Sequence, residues 1–128
     1  MKVRISSEAL AAIRTHAAAD PAREVCGLLL GQTDHVTAVT PALNVAPHPS
    51  RHFEIDPVAL FAAIRAERAG GSRLVGYYHS HPHGSAWPSQ TDRASAAADG
   101  KLWVIVADEV RAWRSLPNGF VQVKILES

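Results

Sequence analysis

From Val25 to Gly31 the chain carries an unbroken apolar run, Val-Cys-Gly-Leu-Leu-Leu-Gly. A stretch this short, closed by glycine, cannot make a comfortable helix and reads as a buried strand, leading into a turn at Thr33-Asp34. The segment Val36 to Val45 is expected to pair with it. A buried strand needs cover, which helices elsewhere in the chain can supply.

Two helix starts are written plainly. Val3 and Ile5 alternate with charged residues as a short strand, after which Ser6 or Ser7 can cap a helix with Leu10, Ile13 and Ala17 on its apolar positions, ended by Asp20-Pro21. Asp56 followed by Pro57 opens a second, with Leu60, Phe61 and Ile64 expected to face inward and Gly70-Gly71 as its stop. Leu74 to Tyr78 is then a strand running into His79, followed by a Pro-, Gly- and Ser-rich loop from Pro82 to Ser89 and a short helix over 90–98. Leu102 to Ala107, Val110 to Ser115 and Phe120 to Leu126 are separated by Asp108-Glu109 and Pro117-Asn118-Gly119, the pattern of a three-stranded meander. Helices mixed with several strands imply an α/β (α+β) domain with a central sheet packed by helices. At 128 residues with 47% apolar content, one domain spanning 1–128 is expected.

Composition excludes several functions. A formal net charge of +1 gives no general attraction to nucleic acid or anionic membrane, so neither is expected as a partner. A single cysteine permits neither an internal disulfide nor a cysteine-rich zinc site and suits a reducing compartment. No apolar stretch approaches the roughly 18 residues that span a bilayer, and a cytoplasmic location is expected. A homodimer is compatible with all of this.

His79 and His81 close an apolar strand. In extended chain, residues i and i+2 point to the same side, so both imidazoles can reach one ion. A catalytic zinc keeps three protein ligands and one open position, and Asp92, on the first turn of the helix that Ser89 should cap, is the best third donor. Each feature has a plainer meaning taken alone. His-x-His can be polar surface, Ser-x-x-Asp an ordinary capping box, Glu24 an exposed strand-edge charge and Cys26 a small buried apolar residue.

Taken together, Glu24, His79-Ser80-His81-Pro82 and Pro88-Ser89-Gln90-Thr91-Asp92 resemble the signature of the JAMM, or MPN-plus, metallopeptidases, and in particular their small prokaryotic branch. The pattern is Glu, a long gap, His-x-His, ten residues and Asp, and here Pro82 to Thr91 supply the ten. The flank Glu24-Val25-Cys26-Gly27-Leu28-Leu29-Leu30-Gly31 is similar to the family's Glu-bearing strand. The resemblance implies a JAMM/MPN domain with a cytidine-deaminase-like central mixed sheet around one zinc ion (Zn2+) per chain. It implies His79, His81 and Asp92 as ligands, Glu24 as general base and Ser89 as an oxyanion stabiliser. It further implies hydrolysis after the C-terminal Gly-Gly of a ubiquitin-like, sulfur-carrier protein.

Beyond the signature, Trp87 and Pro88 can wall a substrate groove or pack under a loop, and one of Tyr77 and Tyr78 should be core. His83 reads as a solvent-exposed loop residue. His16, His35, His48 and His52 receive no role. The segment from Asn44 to Phe53 has the composition of a flap.

Three rival classes remain to be weighed. A non-haem iron oxygenase shares the two-His-one-carboxylate set but draws it from an all-β barrel. A zinc base deaminase needs a Pro-Cys-x-x-Cys pair, and Cys26 stands alone. A non-catalytic MPN scaffold, or a deconjugase that needs a partner, is the third, although scaffolds lack some of the ligands that are complete here. Glu24→Gln is expected to keep zinc and lose cleavage by about 10² to 10⁴ in rate, and His81→Ala to lose both. Metal analysis and turnover of the two variants check this, and a Glu24→Gln protein as fast as its parent refutes the assigned base.

Overall fold

The computed structural model describes residues 1–128. The elements in chain order are β1 (Lys2–Ile5), α1 (Ser7–Ala19), β2 (Cys26–Gln32), β3 (His35–Ala42), α2 (Pro57–Arg68), β4 (Arg73–Ser80), α3 (Gln90–Ser95), β5 (Leu102–Val106), β6 (Val110–Leu116) and β7 (Gly119–Glu127).

Helix starts form where the side chains can satisfy the first free amides. Ser6 caps α1 by accepting the Ala9 amide at 3.1 Å, which sets Leu10 and Ile13 into the core. Asp56 caps α2 through the Val58 amide at 3.1 Å, with Pro57 at the first helical position. The apolar face of α2 departs from expectation. None of its residues is fully buried, Leu60 and Ile64 are half-buried and Phe61 is 58% exposed. This helix borders an open groove instead of sealing the core, so the inward Phe61 is corrected. The third helix is shorter than expected, ending at Ser95 as Ala96 turns extended.

The sheet is mixed. β2 runs antiparallel to both β3 and β4, with Leu28 opposite Thr40 and Cys26 opposite His79. β4 and β5 are parallel, with Tyr78 beside Val104 and His79 beside Ile105. β5, β6 and β7 form the antiparallel meander. β1 then pairs in parallel with both β3 and β7 and closes the sheet into a barrel, a closure that the sequence pattern did not disclose.

Alternation along β5 sorts the two faces. Leu102, Val104 and Val106 join Val3, Ile5, Leu29 and Tyr78 in the main core, which α1 covers with Leu10 and Ile13. Trp103 and Ile105 join Ala86 and Trp113 on the other face. No helix is long and apolar enough to cross a membrane.

Parallel strands cannot be joined by a tight turn and need a crossover of a dozen or more residues. The crossover from β4 to β5 leaves from the end of β4 that carries His79 and includes α3. It is packed against the sheet by Trp113, whose indole N–H donates to the Ala86 carbonyl at 3.1 Å.

At Gly76 there is no room for a side chain between β4 and β5, because a methyl group there would overlap the backbone of Leu102. Backbone cannot swing aside as a side chain can. Gly76→Ala should therefore cost about 3 kcal/mol or more, read as a lower urea midpoint. Gly84→Ala, whose methyl meets only ordinary contact with the His81 side chain, should shift stability by less than about 0.5 kcal/mol.

Candidate metal centre

Glu24, His79, His81 and Asp92 converge, their ligand atoms all within 4.8 Å of one another. His79 sits on β4, Asp92 on the first turn of α3, His81 just past β4 and Glu24 two residues before β2. The Cys26–His79 pairing places the residues preceding β2 beside the end of β4. All four are nearly excluded from solvent, at 5% exposure for Glu24, 0% for His79, 9% for His81 and 2% for Asp92.

Each ring is held differently. His81 Nδ1 lies 2.6 Å from the Ser85 carbonyl, which can only accept, so that nitrogen carries a hydrogen and a neutral His81 offers a bare lone pair at Nε2. His79 Nδ1 has no partner. Packing fixes that ring instead, with Phe53 stacked on it at 4.2 Å and Trp103 edge-on at 5.6 Å. Asp92 Oδ2 accepts the Ser89 amide at 2.9 Å, and Ser89 Oγ accepts the Asp92 amide at 3.0 Å. The expected third donor, Asp92, is thus also the N3 residue of the capping box.

Around one point His79 Nε2, His81 Nε2 and Asp92 Oδ2 stand 3.1, 3.1 and 3.0 Å apart. Tetrahedral ligands at about 2.0–2.1 Å from a zinc ion stand about 3.3 Å from one another, so the observed spacing fits a small cation. Two imidazoles and a carboxylate are also the right donors for one. Without it, protons must separate the lone pairs.

The ionisation of these groups reflects that crowding. Burial lowers the His79 pKa, only partly offset by Asp92. Burial also lowers His81, but the Asp92 and Ser85 contacts and the charges of Asp92 and Glu24 outweigh it, and the net direction is up. For Asp92 the desolvation that raises a carboxyl is overcome by the hydrogen bonds from both histidines, holding it well below the usual carboxylate range. Glu24 is pushed up to about 7, chiefly by burial, with His81 pulling down and Asp92 pushing up. Its Oε1 is buried without a hydrogen-bond partner.

Other predicted residues fall outside this cluster. His83 is exposed, as expected. Trp87 is 48% exposed, stacked obliquely on Trp113 at 4.8 Å with the Arg111 guanidinium 5.3 Å above its ring. Tyr78 is the core tyrosine, and its hydroxyl lies 2.7 Å from His16 Nδ1, giving His16 a structural partner that the sequence did not suggest. Phe53, Trp103 and Ser85, which orient the two imidazoles, were missed. Phe53 had a faint signal as an aromatic in a polar segment, whereas Ser85 acts through its backbone and has none.

A family model described as prokaryotic homologs of the JAB domain matches residues 6–116. A desampylase of Haloferax volcanii is 37% identical over 116 residues, covering 86% of this chain and 84% of that protein. A Thermus thermophilus protein named "Probable TtuB-protein conjugate cleaving protease" is 37% identical over 106 residues, covering 83% of this chain and 70% of that one. Among solved structures, a protein of Desulfitobacterium hafniense superposes with a TM-score of 0.87 at 25% identity, covering 98% of this chain and 92% of that one.

The Glu24 environment predicts a pH effect on metal-free protein. Its folded pKa of about 7 lies above the ordinary glutamate value of 4.5, so between those values the native state binds more protons than the unfolded state. Stability from this group is therefore lost as pH rises through that window. Glu24→Gln should raise the melting temperature of metal-free protein by a few degrees, on the order of 4 °C, at pH 8, and the gain should vanish below about pH 4.5. Melting curves of both proteins at pH 4.5 and 8 check it, and a gain independent of pH contradicts it.

Proposed function

The chain belongs to the family of prokaryotic homologs of the JAB domain, and from that premise we propose that it is a zinc-dependent isopeptidase. The reading extends to residues 1–128 as one metallopeptidase domain. Its reaction is hydrolysis of the peptide or isopeptide bond after the C-terminal Gly-Gly of a ubiquitin-like, sulfur-carrier protein. The observation that carries the reading is the convergence of Glu24 on His79, His81 and Asp92. The relatives named as a desampylase and as a conjugate-cleaving protease support the substrate class.

His79, His81 and Asp92 would hold the ion. When bound, zinc supplies a water of lowered pKa and polarises the scissile carbonyl. Glu24, buried with a free carboxylate oxygen, takes the proton of the attacking water and passes it to the leaving amine. Ser89 Oγ is occupied as an acceptor by the Asp92 amide, which leaves its own proton free to donate to the developing oxyanion. Attack by water needs no covalent intermediate on the protein.

The substrate tail has a place to lie. An open groove of about 550 Å³ is lined by Phe53, Ile55, Leu60, Phe61, Tyr77 and Trp103, and two of these also pack on the His79 ring. A Gly-Gly terminus lets the backbone of an extended tail come close to the buried centre, where a side chain would collide.

Metal analysis of purified protein, paired with cleavage of ubiquitin-like proteins extended beyond Gly-Gly, tests the proposal. About one zinc per chain is expected, with chelator-sensitive cleavage after Gly-Gly. Metal-free and inactive protein would instead indicate a scaffold. The oxygenase reading stays disfavoured, because three helices accompany this sheet and the chain belongs to the JAB family.

A further inference from the structure

Glu24 belongs to no strand or helix, so no ladder of backbone bonds holds it. Its amide donates to the Pro49 carbonyl at 2.7 Å, and its carbonyl accepts from Asn44 Nδ2 at 2.8 Å. The other Asn44 Nδ2 hydrogen goes to the His52 carbonyl at 2.9 Å. Asn44 Oδ1 accepts the amides of Ala46 and Glu54, each at 3.0 Å. A carboxamide has two donors and two acceptor lone pairs, and all four are used. Carbonyls face its nitrogen and amides face its oxygen, so its orientation is dictated.

The same residue closes a loop. Asn44 bridges Ile55, the Val45 amide donates to the Glu54 carbonyl at 2.9 Å and the Asp56 amide to the Leu43 carbonyl at 3.1 Å. Residues 43–56 therefore make a loop whose neck is tied by backbone bonds and by the Asn44 side chain. From that loop Pro49 holds the Glu24 amide, and Phe53 stacks on His79.

We propose that Asn44 is the positioning residue for Glu24, fixing its backbone and locking it to the loop that sets Phe53 against His79. The proposal rests on the reading of Glu24 as general base. Asn44 makes no hydrogen bond to His79, His81 or Asp92 and reaches Glu24 only through its backbone, so its influence should fall first on the rate of the chemical step. Asn44→Asp is the sharpest probe. It keeps size and both acceptor contacts, but sets a carboxylate oxygen against the carbonyls of Glu24 and His52.

The test uses the full chain carrying zinc. Asn44→Asp is expected to retain its metal while kcat falls about 10²-fold, the scale of a misplaced catalytic group. Amide exchange at Glu24 should accelerate while that of Leu102–Val106 stays unchanged. Parent-like kcat, or a Glu24 amide exchanging no faster than in the parent, overturns the proposal. If the variant does not fold, the parent decides: its Glu24, Ala46 and Glu54 amides must exchange as slowly as those of β3, and fast exchange overturns the assignment. If the parent does not cleave, the functional reading fails, and the exchange comparison still judges Asn44.

Discussion

The parallel pairing of β4 with β5 is the constraint from which the candidate centre follows. An antiparallel pair could have turned back within a few residues, whereas this pair obliges the chain to leave the end of β4, cross over and return to the start of β5. His79 and His81 stand where the crossover departs, and Asp92 lies on the helix within it. The Asp92 carboxylate is thus delivered to the histidines by the connection itself. Gly76 permits the close approach of the two strands, and Trp113 keeps the crossover against the sheet.

His79, His81 and Asp92 bring their polar atoms together away from water. Two imidazole nitrogens and a carboxylate oxygen hydrogen-bond one another at about 3 Å in a site closed to solvent, and taking such groups out of water carries a desolvation cost. Surrounding structure absorbs that cost through the Ser85 carbonyl on one ring, aromatic packing on the other and the Ser89 amide on Asp92. The Glu24 carboxylate is held at hand by the Asn44 loop. That loop also carries Phe53, so the His79 ring and the Glu24 backbone share one support.

Much of this was legible in the chain. Period-two alternation and turn residues marked the strands, and Ser6 and Asp56 marked the helix starts, because those signals are local. His79 and His81 were legible from their i, i+2 spacing and Asp92 from its place on a capped first turn, whereas Glu24 joined them only through the resemblance of the whole string to a known signature. Barrel closure was hidden, since it depends on β1 meeting both β3 and β7 across the whole length of the chain. Phe61 was misread because an apolar helix position says nothing about whether its neighbour is core or groove. Asn44 carried no signal of its own, as one asparagine in a proline-containing segment looks like any turn residue.

X-ray absorption at the zinc edge of zinc-loaded protein would test the central claim most directly, because it reads the donor atoms themselves. The account predicts nitrogen and oxygen donors alone at about 2.0–2.1 Å, with outer scattering from two imidazoles that drops to one in His81→Ala if any metal remains. A sulfur donor at about 2.3 Å, which only Cys26 or Met1 could supply, or a spectrum indifferent to His81, would contradict it.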